Sequence, residues 1–217
     1  MKKLVLYSAI FSLAILAAIS CNRQKGSMTG KPGIPDTSWL EEITIAELQQ
    51  GYAGGKYRVA DVVSAYLGRI EEIDNNGPAL NSIIIINPDA MAIAEKLDSM
   101  TAGERSILPL FGVPVVIKDN IDTHDSMPNT AGATVLRNSF PAADSPVARK
   151  LREAGAVIIG KSNLSEWANF RGMTSTSGWS GVGGQTKNPY VLDRNPCGSS
   201  SGSGVSVSAN LCMVAIG

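Results

Sequence analysis

Histidine is almost missing from this chain: His124 is the single one. That excludes a histidine-rich metal site within these residues and makes a Ser-His-Asp triad hard to assemble from them. Net charge is missing as well, with 19 basic side chains against 19 acidic ones. A chain so balanced carries no electrostatic footprint for nucleic acid, and none is expected as a partner. No Walker pattern for phosphate binding and no internal repeat is present. What the 217 residues do have is 44% hydrophobic and 18% charged side chains, the composition of a globular protein long enough to bury a proper core.

The N-terminus reads as an address. Met1-Lys2-Lys3 is a short basic segment, and 4–19 is an almost unbroken apolar run that closes in Ala17-Ala18-Ile19-Ser20-Cys21. The run is short for a membrane span and lacks flanking anchors. Small residues before a lone cysteine resemble a bacterial lipoprotein signal over 1–20, in which Cys21 is lipidated and tethers an exported protein to the cell envelope. The other reading is an ordinary cleaved signal with an incidental cysteine. Residues 22–40, with Gly26, Gly30, Pro32, Gly33 and Pro35 and no apolar periodicity, are expected to form a flexible tether ahead of a domain over 41–217.

The domain alternates helical and strand patterns, an α/β class. Helices are predicted over 44–50, closing at Gly51, over 58–73, over 89–100, and from Ser145-Pro146 to Gly155, with serine as cap and proline in the first turn. Buried strands are predicted at 82–86, 111–117 and 156–159, with Pro114 marking an edge or a bulge in the second. A short helix follows through Leu164 and Trp167. The stretch 172–204 is too long and too rich in Gly, Ser, Thr, Asn and Pro for an ordinary connection, yet Trp179, Val182, Tyr190 and Leu192 argue that it is ordered. A buried helix is expected over 205–217.

Two places invite chemistry. Lys118 directly follows an apolar strand, where desolvation lowers an amine's pKa and makes it a general base; the plain alternative is a solvated lysine capping the strand. Gly198-Ser199-Ser200-Ser201-Gly202-Ser203-Gly204 combines close backbone approach with hydroxyls that donate and accept at once, as a proton relay requires. Within it, Gly198-Ser199-Ser200-Ser201-Gly202 also fits the nucleophile-elbow pattern around Ser200, but Arg194-Asn195-Pro196-Cys197 is not the hydrophobic strand an elbow needs.

Four segments taken together, 112–120, 155–163, 184–189 and 196–202, resemble the amidase signature family in their order and spacing. The resemblance implies a central mixed β-sheet flanked by helices and hydrolysis of amides or esters by a Ser-Ser-Lys triad, with no cofactor and no metal. Carried onto this chain, it makes Lys118 the general base and Ser199 the bridging serine, with a cis peptide bond at Ser199. It places Met173 and Ser175 beside the site, the Met173 carbonyl accepting from triad or substrate and Ser175 steadying Lys118. Asp119 or Asn120 is expected to orient the loop. Cys197 and Ser201 stand where the family usually repeats glycine. The family's nucleophile lies about two dozen residues past the bridging serine, so it is expected just beyond Gly217, leaving this chain a C-terminally truncated and inactive piece.

The expected partner is a small-molecule or peptide-like amide, with the membrane reached through the lipid anchor. Two rivals stand beside this reading: an α/β-hydrolase esterase with Ser200 as nucleophile, and a non-catalytic homologue acting as a binding module. Cys197 and Cys212 are read equally as a disulfide or as two thiols, and His124 as a solvated loop residue.

Overall fold

The structure, a computed structural model, describes residues 37–170 and 172–217. The expected signal segment, Cys21 and all but the end of the expected tether lie outside the described residues. That end is already part of the packed domain. Leu40 is fully buried, and Trp39 stacks on Tyr57 with ring centroids 4.5 Å apart. The segment 37–40 is therefore anchored by apolar contact where the sequence suggested a tether.

The core is a four-stranded sheet built from β1 (Ile83–Ile86), β2 (Pro114–Lys118), β3 (Val157–Ser162) and, last in the chain, a strand at Val214–Ile216. In space the order is β1, β3, β2, then the last strand. β1 runs antiparallel to β3, and the other three run parallel to one another. This is the mixed sheet the family resemblance implies. β2 and β3 are central and buried at every position, as the apolar runs 114–117 and 157–159 predict, and β3 continues beyond its predicted end through Gly160, Lys161 and Ser162. Pro114 is tolerated in a central strand because it is the strand's first residue. The ladder between β2 and β3 shifts register between Val115 and Val116, the irregularity that Pro114 suggested. β1 is an edge, and Ile86 at its end is exposed, so this apolar run is only partly buried.

Helices cover both faces. α1 (Ile45–Ala53) starts on a capping box in which the Thr44 hydroxyl accepts from the Glu47 amide and Glu47 reaches back to the Thr44 amide. Gly51, expected to end this helix, lies inside it and is packed against the Tyr57 ring; Gly54 is the cap. α2 (Val59–Arg69) turns into a wide π-helical segment, Ile70–Asn76, in place of a plain helix to residue 73. With α3 (Ala90–Asp98), these helices pack on the face bearing Val116, Val157 and Ile159. A five-residue helix, α4 (Ala102–Ser106), follows at the surface. The opposite face, bearing Val115, Ile117 and Ile158, is covered by α5 (Pro146–Glu153) through Ala148 and Leu151. Ser145 caps α5 by accepting from the Ala148 amide, as the Ser-Pro pair predicts.

The expected helix over 205–217 is two elements. α6 spans Ser201–Ser208, and the chain then turns through Asn210 into the fourth strand. Small β-branched residues fit a buried helix or a strand equally, and the sheet's open edge beside β2 decides for a strand. The stretch 172–204 is ordered, with a small hairpin pairing β4 (Trp179–Ser180) and β5 (Gly184–Gln185). Numbering the fourth core strand in chain order makes it β6.

Candidate active site

In parallel sheets, ligands gather at the carboxyl ends of the strands. Lys118 is the last residue of β2 and stands level with Ser162, the last of β3. Only 7% of Lys118 is exposed. Its Nζ is 2.9 Å from Ser199 Oγ and 2.9 Å from Ser200 Oγ, at the entry to α6. Burial lowers the lysine's pKa, as expected for an amine at the end of an apolar strand.

The serines are held by backbone. The Gly198–Ser199 peptide is cis, as the resemblance implies. The Ser199 carbonyl accepts from the Ser165 amide at 3.0 Å, and the Gly202 amide donates to the Asn163 carbonyl at 2.9 Å. A side chain at Gly202 would collide with the Ser82 carbonyl at 2.1 Å, so glycine there lets α6 lie directly on the ends of β1 and β3. Ser203 Oγ bridges Ser162 Oγ, at 2.7 Å, and the Ile216 carbonyl, at 3.0 Å, tying α6 to β3 and β6. The side chain of Ser201, one of the two departures from the family's glycines, donates to the Cys197 carbonyl within its own turn. Cys197 itself is exposed, so both extra side chains are accommodated without displacing Ser199.

Beneath this relay lies a second buried lysine. Lys161 is level with Ile117 in the β2–β3 ladder, one position before Ser162, so it points to the face opposite Lys118. It is fully buried, and its Nζ donates to the Ile121 carbonyl at 2.6 Å. The Ile121 amide in turn donates to the Lys118 carbonyl at 3.0 Å. Burial pushes the Lys161 pKa down, while Asp119, Asp125 and Asp122 push it back up. The sequence motif contained this residue, but nothing in its apolar surroundings distinguished its face of the sheet.

Asp119 is also fully buried. It accepts from the Thr130 hydroxyl, from the Thr130 amide at 3.2 Å and from the Gly132 amide at 3.4 Å. Burial raises its pKa, against the pull of those bonds and of Lys161. Asp119 therefore orients the turn at 130–132, not the serine loop. A further residue that sequence reasoning missed is Asn163, which joins Asn81, Gly184, Thr186, Ser180 and Leu164 in one buried network. That network is what orders the hairpin behind the site.

Met173 is fully exposed, and the Ser175 hydroxyl donates to the Gly172 carbonyl at 2.9 Å inside its own turn. The hydroxyls that Lys118 Nζ meets are those of Ser199 and Ser200. His124 is exposed, with Nδ1 3.1 Å from the Pro141 carbonyl. Cys197 and Cys212 are both free thiols, and burial pushes the Cys212 thiol up to about 12.

A family profile described as Amidase matches residues 61–217. A protein of Arabidopsis thaliana described as a probable amidase is 43% identical over 190 residues, covering 85% of this chain and 36% of its own. Among solved structures, the native peptide amidase of Stenotrophomonas maltophilia superposes with a TM-score of 0.78 at 45% identity, covering 84% of this chain and 36% of that one. An amidase family protein of Bacillus anthracis gives a TM-score of 0.77 at 43% identity, covering 82% and 35%. The chain thus spans about a third of the length of these relatives. It belongs to the amidase signature family of hydrolases, with that family's α/β fold.

Proposed function

We propose that this chain carries the base and relay of an amide-bond hydrolase acting on small or peptide-like linear amides. The observation that supports it most is the 2.9 Å contact between Lys118 Nζ and Ser199 Oγ inside a buried strand end. A neutral amine offers two N–H donors and one lone pair. The lone pair takes the Ser199 proton as Ser199 takes the proton of the attacking serine, and an N–H donates to Ser200. Run backwards, the same relay protonates the departing amine. The attacking serine that this relay would serve is the one the family resemblance expects about two dozen residues past Ser199. The peptide-like substrate class is drawn from the peptide amidase structures, one of which holds the competitive inhibitor chymostatin. Export and lipid attachment at Cys21, after removal of 1–20, belong to the same proposal and rest on the N-terminal sequence pattern.

Lys118→Ala in the whole enzyme is the test. Loss of nearly all turnover on a small amide supports the reading. Near-normal turnover in that variant, with loss in Ser200→Ala, would instead establish the esterase-type alternative built on Ser200.

A further inference from the structure

α6 carries the relay serines at its entry, yet little in its own sequence holds it in place. Its residues, Ser201–Ser208, are four serines, two glycines and two valines, with no strong helix former among them. Ser200 stands at the N-cap but makes no side-chain cap bond; its hydroxyl is at Lys118 Nζ instead, at 2.9 Å. A helix this weak needs support from outside itself.

Two buried charged side chains supply it, and neither belongs to the relay. Asp74 is fully buried. One of its carboxylate oxygens accepts from the Ser82 hydroxyl at 2.6 Å and the Ser82 amide at 2.9 Å, and the other accepts from the Ile83 amide at 3.0 Å. Ser82, held in this way, turns its carbonyl to the entry of α6. That carbonyl accepts from the Asn163 amide at 2.8 Å and lies against Gly202, whose own amide donates to the Asn163 carbonyl.

Arg69, 7% exposed, works at the other end of the helix. Its Nε donates to the Asn210 carbonyl at 2.9 Å, and Nη2 reaches the Ala209 carbonyl at 3.5 Å. Carbonyls at a helix end lack partners within the helix, and a cation there also suits the helix dipole. Nη1 meets the Thr37 hydroxyl at 3.2 Å and the Glu41 carboxylate at 3.4 Å, so the guanidinium is itself fixed.

The widened π-helical segment accounts for both residues coming from one short stretch. Residues five apart in an α-helix lie about 140° round the axis from one another. A π-turn bonds i to i+5 and brings such residues nearly into line, as i and i+4 are in an α-helix. Ile70–Asn76 begins directly after Arg69 and contains Asp74. Glu71, Glu72, Asn75 and Asn76 are exposed, while Arg69 and Asp74 are buried. The two opposite charges are not bonded to each other; each is taken up by the partners named above.

We infer that Arg69 and Asp74 are positioning residues of the relay, holding α6 at its two ends so that Ser199 and Ser200 stay at Lys118. The π-helical segment is the device that turns both toward the helix. Their effect on a reaction rests on the amidase reading, whereas their hold on α6 does not.

The test is made in the whole enzyme with Arg69→Met, Asp74→Asn and the milder Arg69→Lys, which keeps a cation but loses the fork that reaches two carbonyls. Exposed Glu72→Gln, from the same segment, is the control. Steady-state kinetics on a small amide are paired with hydrogen exchange of the peptide 200–209. Arg69→Met and Asp74→Asn are expected to lower kcat at least tenfold with KM within threefold, and to speed exchange of 200–209 at least tenfold while β2 and β3 exchange as before. Arg69→Lys should show the same pattern at about threefold, and Glu72→Gln neither effect. A kcat within twofold of the parent in folded variants, or exchange accelerated equally across α6 and the sheet, would overturn the proposal. Turnover lost in Lys118→Ala but kept in the Arg69 and Asp74 variants refutes the positioning role alone. Turnover kept in Lys118→Ala refutes the amidase reading, and the exchange of 200–209 then still decides whether the two residues hold α6.

Discussion

Two lysines leave the same pair of strands at almost the same level, and their surroundings differ in one respect. Lys118 looks to the α6 face and meets two hydroxyls. Lys161 looks to the α5 face and meets a carbonyl, with Asp119, Asp122 and Asp125 near enough to raise its pKa. Burial lowers the pKa of both. Only for Lys161 do neighbouring carboxylates oppose that fall. The difference teaches that burial alone does not make a base. A buried lysine among carboxylates has the fall in its pKa opposed, whereas one facing only hydroxyls meets no such opposition and is placed to lose its proton and take another.

The contrast can be broken first through turnover. In the whole enzyme, Lys118→Met is expected to reduce amide hydrolysis by about 10²–10⁴-fold, the usual contribution of a positioned general base. Steady-state kinetics on a small amide checks it. Stability should behave in the opposite way. Lys161→Met leaves the buried Asp119 without its cation and is expected to cost about 3–5 kcal/mol in urea denaturation. Lys118→Met removes a buried amine that no carboxylate stabilises, and its cost should stay within about 1.5 kcal/mol, the scale of a hydrogen bond. Equal destabilisation by the two substitutions would erase the distinction between them.

The seating of α6 gives a smaller effect. Gly202→Ala drives a methyl into the Ser82 carbonyl and is expected to cost about 1–3 kcal/mol, typical of overpacking. Because the shift lifts Ser199 from Lys118, turnover should fall more than stability implies. Smallest is the pH dependence. Folding lowers the Lys118 pKa, so between the folded value and the ordinary 10.5 the unfolded chain binds more protons. That contribution to stability is fully present above 10.5 and is lost as pH falls through the folded pKa. Lys118→Met should flatten this part of the stability curve, as followed by urea midpoints across the alkaline range. Asp119→Asn should lower the Lys161 pKa further and leave that of Lys118 almost unmoved.

Much of this arrangement is legible in the chain. The apolar runs before Lys118 and through 157–159 mark the two central strands because strands buried on both faces lose the polar alternation of half-exposed ones. Ser145-Pro146 marks a helix start because its cap and fixed φ are local properties. The pairing of Lys118 with Ser199 follows from the family resemblance. What local pattern cannot decide is register. The irregularity between Val115 and Val116 determines which face Lys161 joins, and it depends on the partner strand. The end of the chain misleads for the same reason, since 214–216 are a strand, not the end of a helix, only because the β2 edge is there to pair with. The bond from Lys118 to Ser200 is not legible either, because it depends on how the entry to α6 is seated on the strand ends.

The central claim is that Lys118 is a lysine made titratable by burial without a counter-charge. Heteronuclear NMR of its side chain, assigned by loss of the signal in Lys118→Met, measures this directly in the 217-residue chain. Half-titration below the ordinary lysine value of 10.5 is the predicted result. Half-titration at or above that value would contradict the account, since such an amine could not serve as the base for Ser199.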